Sequence, residues 1–195
     1  MSPRMLLAAF ALILAGCASQ DAVSLEYEPA AQPVPGLAAK SFSISVDDQR
    51  TYVWSKDKPP TYVGNVRHSG AVTDVLNDNG LPLAEQVKKD LGRELRSLGL
   101  AENETAPAAR ISVRILEWNF RAAIKARYLY RAEISVSNAD GKLVESSTVK
   151  DEKEIVGSMS KPAQDSMYED ASQFYGSFIR KLVRENPAIL ASLGR

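Results

Sequence analysis

The chain has 195 residues, which is enough for one domain with a hydrophobic core of its own. Its 24 basic and 24 acidic residues balance, so overall charge gives no reason to expect a nucleic acid or an anionic membrane surface as a partner. Cys17 is the only cysteine, which excludes a disulfide within the chain. We therefore expect the stability of the domain to come from its core.

The first residues have the pattern of a lipoprotein signal. Arg4 precedes an apolar run over 5–15, which is too short to span a bilayer. The run ends in the string Leu-Ala-Gly-Cys, a small-residue cleavage site followed by cysteine. We expect a signal peptide over 1–16, cleavage between Gly16 and Cys17, and lipidation of Cys17 by a diacylglycerol thioether and an acyl chain such as palmitate. The alternative is an ordinary signal peptide with a cysteine at the cut by chance.

The residue after Cys17 indicates where the anchor is sorted. Ala18 stands where an aspartate would be the usual inner-membrane retention signal. We therefore expect a lipid-anchored protein on the periplasmic face of the outer membrane, with the inner membrane as the alternative. Residues 17–40, which are rich in proline and alanine, are predicted to form the lipidated end and a flexible tether, in which 24–27 could still add a short edge strand. Residues 41–195 are predicted to form a single periplasmic domain.

Hydrophobic periodicity predicts a mixture of strands and helices in this domain. In chain order the elements are a strand over 41–47, a loose hairpin over 62–76, a helix over 82–98, strands over 110–120, 126–137 and 142–149, and a helix that begins with Ser160 as N-cap and ends at Asn186. The charged run 151–154 is predicted to be solvated. The fold class is therefore α+β, a two-layer domain in which an antiparallel sheet is covered on one face by two amphipathic helices.

The sequence contains no complete catalytic pattern. His68 is the only histidine and metal sites need several ligands, so we expect no metal and no cofactor. Ser158 and Lys161 fit the S-x-x-K motif of penicillin-interacting enzymes, but the companion motifs S-D-N and K-T-G are absent. We expect no enzyme activity, and an envelope hydrolase is the least favoured alternative.

One group of basic residues forms a candidate interaction site. Arg110 and Arg114 are predicted to share the outer face of their strand with Trp118, and Arg127 and Arg131 to lie on the outer face of the next strand. Such a face could bind an anionic glycan, a lipid head group or an acidic envelope protein. The alternative is an ordinary solvated face. Nucleic acid is not expected in this compartment.

Taken together, these features resemble the YajG family of bacterial outer-membrane lipoproteins. The resemblance rests on the cysteine motif, the proline-containing tether, the string Asp-Gln-Arg-Thr at 48–51 after the first strand, the helix ending at Gly99, and the two strands that follow. The segment 55–61 departs from the family pattern. The resemblance implies an α+β periplasmic domain without established catalysis, in which Asp48 and Arg50 fix a turn.

These inferences give two expectations for function. The first is a non-enzymatic interaction or accessory module of the cell envelope. The alternative is an auxiliary subunit of an envelope transport or lipid-trafficking complex.

Overall fold

The computed structural model describes residues 21–30, 32–37, 40–68, 70–123, 125–156 and 166–194. Over these residues the chain forms eight strands and four helices, which confirms the α+β class. The strands are β1 (Asp21–Val23), β2 (Ser41–Asp48), β3 (Tyr62–His68), β4 (Ala71–Asn77), β5 (Ala101–Glu102), β6 (Ala109–Ala122), β7 (Lys125–Asn138) and β8 (Leu143–Val156). The helices are α1 (Thr51–Trp54), α2 (Leu83–Ser97), α3 (Met167–Leu182) and α4 (Pro187–Leu193).

The eight strands form one mixed sheet around β6, so the prediction of an antiparallel sheet is wrong. One edge of β6 pairs antiparallel with β7, which pairs antiparallel with β8. The other edge pairs in parallel with β2 along its first half and with β3 along its second half. β4 continues antiparallel from β3, and β1 and β5 add in parallel to β4 and β2. The chain between β2 and β6 includes α2, and such a crossover lets two strands run in parallel.

The helices bury the apolar stripes that the sequence predicted. α2 packs on β2, β5 and α3, whereas α3 and α4 both contact β7 and β8. The buried stripe residues are Leu83, Val87, Leu91, Leu95 and Leu98 of α2 and its end, and Met167, Ala171, Phe174, Phe178 and Leu182 of α3. α3 begins at Met167, and the predicted N-cap Ser160 lies outside the described residues. Asn186 caps α4 by accepting from the Ile189 backbone N–H.

A bulge in β6 places Trp118 in the core, not on the outer face where the sequence had placed it. The register with β7 shifts between Ile115 and Glu117, and one extra residue reverses the face of every later side chain. Trp118 is therefore buried, and its ring stacks on Tyr130 with 6.1 Å between centroids. Phe174, Tyr175 and Phe178 of α3 complete this aromatic cluster.

β8 is longer than predicted. It continues to Val156 and includes the run 151–154, which the sequence assigned to a solvated segment. The extension forms because β7 is 14 residues long and offers a pairing partner along its whole length. The charged side chains of the run remain at the surface, so the prediction missed the strand but not its exposure.

Residues 21–30 and 32–37 pack on the domain, although their composition predicts a flexible tether. The described part of this segment, 21–30 and 32–37, is here called the N-terminal strap. It contributes β1 and four buried side chains, Val23, Leu25, Tyr27 and Leu37. The first three alternate with exposed or half-buried residues, the period of a strand with one buried face. That local pattern outweighs the proline content.

Polar contacts hold the strap across α2 and α3. Arg93 of α2 donates to the Tyr27 carbonyl at 2.7 Å, and Arg184 donates to the Ala30 carbonyl at 2.9 Å. The Glu26 backbone N–H donates to Ser172 Oγ of α3 at 3.2 Å. The strap is thus bonded to both long helices along its length.

Candidate interaction surface

The four predicted arginines lie on the solvent-exposed side of β6 and β7. We call this side, with the neighbouring surface of β8, the outer face. Arg110 and Arg114 project from the first half of β6, and Arg127 and Arg131 from β7. All four are exposed. The structure therefore brings together the four residues that the sequence selected, without Trp118.

Most of these cations are paired with carboxylates from a neighbouring strand. Arg127 donates to both carboxylate oxygens of Glu152, at 2.7 and 2.9 Å. Arg131 pairs with Glu117 at 3.4 Å. The other pairs are Arg114 with Glu133 and Lys125 with Glu154. The outer face is therefore a pattern of alternating charges and not a basic patch.

Arg110 differs from the other three arginines. Among the described residues its one hydrogen bond is to the Ala139 carbonyl at 3.4 Å, and no carboxylate lies within ion-pair distance. It stands at the end of β6 nearest the β7–β8 turn. The sequence could not distinguish it from the other three, since the partner carboxylates come from positions far away in the chain.

The Arg127–Glu152 pair shows the electrostatics of this face. The hydrogen bonds from Arg127 lower the pKa of Glu152, and those to Glu152 raise the pKa of Arg127. Both groups are therefore charged at neutral pH. Exposed pairs of this kind contribute little to stability, because water and salt screen them. Their groups can accordingly exchange partners when another charged surface arrives.

Arg127 and Arg131 line an open cleft on the outer face. Its volume is about 490 Å³, and Glu117, Lys150 and Glu152 lie in the same wall. Both signs of charge meet there. The chemistry fits a protein surface with complementary mixed charges better than a polyanion, which the carboxylates of Glu117 and Glu152 would repel.

The structure also contains a buried polar row on α2 that the sequence analysis missed. Asp90 is fully buried and accepts from Gln86 Nε2 at 2.6 Å and from Tyr175 Oη at 2.9 Å. Burial raises the pKa of Tyr175, and the charge of Asp90 adds to this effect. Gln86, Asp90 and Glu94 are spaced four residues apart, so they form one row beside the leucine stripe. That spacing of four residues is the sequence feature from which the row could have been predicted.

Glu94, the last member of the row, ties three elements together. It is fully buried and accepts from the Tyr27 hydroxyl of the strap and from Arg184 after α3. Burial is the main cause that raises the pKa of Tyr27, and the hydrogen bond to Glu94 adds to it. Both buried carboxylates of α2 thus accept hydrogen bonds from partners within the domain, and this arrangement stabilises the packing of the strap and α3 on α2.

Asp48 and Arg50 fix the chain after β2, as the sequence predicted. The Arg50 side chain is fully buried and donates to both oxygens of Asp48, from Nε at 2.8 Å and from Nη2 at 2.7 Å. It also donates to the carbonyls of Tyr62 at 2.6 Å and Pro60 at 3.1 Å. The pair therefore joins the end of β2 to the start of β3, across the segment 55–61.

Several predicted features lie outside the described residues, namely Gly16, Cys17, Ser158 and Lys161. Within the described ranges, no group of three or more His, Cys, Asp or Glu side chains is arranged to hold a metal ion. None of the helices in this part of the chain is long and apolar enough to cross a membrane.

The fold resembles that of proteins with solved structures, although no protein-family model and no curated protein matches the sequence. Protein XCC0632 from Xanthomonas campestris, of family DUF330, has a TM-score of 0.52 at 12% identity, covering 83% of this chain and 92% of its own. An uncharacterised protein has a TM-score of 0.53 at 14% identity, covering 86% of this chain and 98% of its own. These two similarities show a shared α+β fold.

A third similarity is weaker. A minor lipoprotein from Acinetobacter baumannii has a TM-score of 0.39 at 9% identity, covering 74% of this chain and 91% of its own. A TM-score this low does not establish a shared fold. The specific resemblance to the YajG family stays a prediction.

Proposed function

We propose that the protein is a lipid-anchored lipoprotein of the bacterial cell envelope and acts there as a non-enzymatic interaction or accessory module. The observation that carries the proposal is the cysteine motif at Cys17, which lies four residues before Asp21, the first residue of β1. This short spacing fits an anchor attached close to the domain that it holds. The expected site is the periplasmic face of the outer membrane.

The polar groups of the domain favour an interaction role. The buried carboxylates Asp90 and Glu94 and the buried Arg50 are all engaged by partners inside the domain. The outer face, in contrast, presents charged groups that can exchange partners. We therefore assign recognition to the outer face and stability to the buried groups.

The anchor is tested by the Cys17→Ser variant. The wild-type protein should sediment with membranes, and its N-terminal peptide should begin at Cys17 with the mass of a diacylglycerol and an acyl chain. The Cys17→Ser variant should leave the membrane fraction and keep the same unfolding midpoint. Absence of acyl groups from the wild-type peptide would refute the proposal. Ala18→Asp should move the lipidated protein to inner-membrane fractions if outer-membrane sorting follows this position.

A second candidate is an auxiliary subunit of an envelope transport or lipid-trafficking complex, and the cleft at Arg127 and Arg131 favours it. Capture of the lipidated protein from mildly solubilised envelopes, with mass spectrometry of proteins and lipids, distinguishes the two. A stoichiometric transport protein would establish the subunit role. An enriched anionic glycan or lipid without a protein would instead make this a ligand-binding module.

The role of the cleft is tested by reversing charges. Arg127→Glu with Arg131→Glu should release a captured partner, because two cations become anions beside Glu117 and Glu152. The matched control is Arg127→Glu with Glu152→Arg, which keeps an ion pair but exchanges the positions of its charges. Partner loss in both variants would show that position-specific charges are recognised. Unchanged binding in both variants would show that the partner does not bind at the cleft.

A further inference from the structure

The N-terminal strap limits how far the domain can stand from a lipid attached at Cys17. Asp21 is paired with Val75 of β4, and the strap that follows is bonded to α2 and α3. Only four residue steps separate Cys17 from Asp21. A fully extended chain covers at most about 3.6 Å per residue, so Cys17 lies within about 14 Å of Asp21.

One end of the sheet lies within about this distance of Asp21. At this end β3 passes into β4, β6 passes into β7, and β8 stops at Val156. We call it the turn end. From Val75 to the first residue of β4, Ala71, is four residues, or about 13 Å along a strand. Since β1 runs parallel to β4, Asp21 is the residue of β1 nearest to the turn end.

The turn end carries exposed apolar side chains. Val72 of β4 is 58% exposed and Val156 of β8 is 66% exposed. Tyr168, at the start of α3, is 38% exposed. Burial is the main cause that raises its pKa, and the charge of Asp21 and a hydrogen bond with Asp21 add to the effect. Exposed tyrosine and aliphatic side chains are typical of a protein surface at a membrane interface.

Two basic side chains lie at the same end of the sheet, where β6 passes into β7. Arg121, the exposed neighbour of Ala122 in β6, has no ion-pair partner among the described residues, and it lies opposite Arg127 of β7. Lys125 begins β7, is 62% exposed and has Glu154 as its ion-pair partner at 3.0 Å. Long basic side chains near a bilayer place their cations among the phosphate groups and their aliphatic stems against the apolar layer.

We propose that the turn end rests on the phospholipid surface that holds the anchor, with Val72 and Tyr168 in contact with the lipid interface. The proposal rests on the lipidation of Cys17 proposed above. It differs from a domain held away from the membrane by a flexible tether, because the strap leaves no free length for such a tether. The outer face and its cleft then stand upright from the bilayer and are accessible from the periplasm.

Spin labels provide a direct test. Lipidation consumes the thiol of Cys17, so Val72→Cys gives the mature protein a single site for a nitroxide. Leu143→Cys is the matched control, since Leu143 is 59% exposed and lies at the opposite end of β8. The lipidated proteins are reconstituted into vesicles of phosphatidylethanolamine and phosphatidylglycerol. Collision rates with molecular oxygen and with a water-soluble nickel chelate are then measured.

The label at position 72 should lose collisions with the nickel chelate and gain collisions with oxygen, relative to the label at position 143. In the same variants carrying Cys17→Ser, both labels should be equally accessible to the chelate. Equal aqueous accessibility of the two labels in the vesicle-bound protein would overturn the proposal while leaving the anchor intact. A protein that takes up a label at Cys17 and does not bind vesicles would instead refute lipidation itself.

A second variant tests the reach of the chain. A flexible glycine–serine insertion between Gln20 and Asp21 keeps the anchor and the strap but lengthens the connection. The label at position 72 should then become as accessible to the nickel chelate as the label at position 143. If position 72 stays protected after the insertion, the short connection is not what brings the turn end to the membrane, and the argument from reach is wrong.

Discussion

Replacing Arg50 with alanine should destabilise the domain far more than replacing an exposed arginine. The Arg50 side chain is fully buried and makes hydrogen bonds to the Asp48 carboxylate and to the carbonyls of Pro60 and Tyr62. Its removal leaves the Asp48 carboxylate, 11% exposed, without a cation. Breaking a buried ion pair from one side costs about 3–5 kcal/mol.

Urea unfolding of the Cys17→Ser protein, followed by circular dichroism, measures this loss. With a slope of about 1–3 kcal/mol per molar urea, the Arg50→Ala midpoint should fall by roughly 2 M. Arg131→Ala is the control, because its pair with Glu117 spans 3.4 Å and the arginine is 49% exposed. That change should cost less than about 1 kcal/mol.

The double variant Arg50→Met with Asp48→Leu separates the charge effect from the packing effect. It removes the buried cation and the buried anion together, so it should recover part of the stability lost in Arg50→Ala. The two carbonyls remain without their donor, which limits the recovery. If Arg50→Ala and Arg131→Ala lower stability equally, the buried network does not hold β2 to β3 as described.

Three further outcomes are expected. Gly64→Ala should lower the free energy of unfolding by about 1–3 kcal/mol in urea, because the added Cβ would lie 2.5 Å from the Phe120 carbonyl oxygen. Gly92→Ala is the comparison: the nearest neighbour of its Cβ would be a flexible side chain at 3.4 Å, so it should stabilise α2 by about 0.5–1 kcal/mol. A similar loss of unfolding free energy in both variants would contradict the close approach of β3 to β6 at Gly64. Burial raises the pKa of Tyr52 to about 12, from about 10 in the unfolded chain, so the folded state favours the neutral phenol. The stability that this gives below pH 10 should be lost as the pH rises to 12. Phenolate absorbance and the circular dichroism of the fold should then change together. Phenolate formation without loss of structure would contradict it. Arg184→Ala should speed hydrogen exchange across the N-terminal strap more than across β6, and a uniform change would show that the strap is not locally held.

Local patterns were read correctly from the sequence, and long-range ones were not. The stripe of α2 depends on spacing within one helix, so Leu83 through Leu98 could be assigned to the core directly. Trp118 was misplaced because strict alternation assumes an unbroken strand, and nothing in the string Ile-Leu-Glu-Trp marks the bulge. Parallel and antiparallel pairing have the same side-chain period, so the mixed sheet could not be predicted either.

The outer face shows the same limit for the candidate site. Strand alternation predicted that Arg110, Arg114, Arg127 and Arg131 share one face, and they do. Their charge balance depends on Glu117, Glu133 and Glu152, which reach them only through the registers of β6, β7 and β8. The buried carboxylates of α2 were missed for a related reason, because the strap that covers them was predicted to be free.

The strap bonds to residues far along the chain, and this has a consequence for export. Glu26 bonds to Ser172 across 146 residues, and Arg184 bonds to Ala30 across 154. Contacts this distant in sequence form late, because closing so long a loop costs entropy before any contact is gained. A chain exported as we propose would emerge strap first and could not close its fold until α3 had followed. Until then the earlier part of the chain would stay open for threading through a translocation pore, and the domain would be completed beside the membrane that holds its anchor.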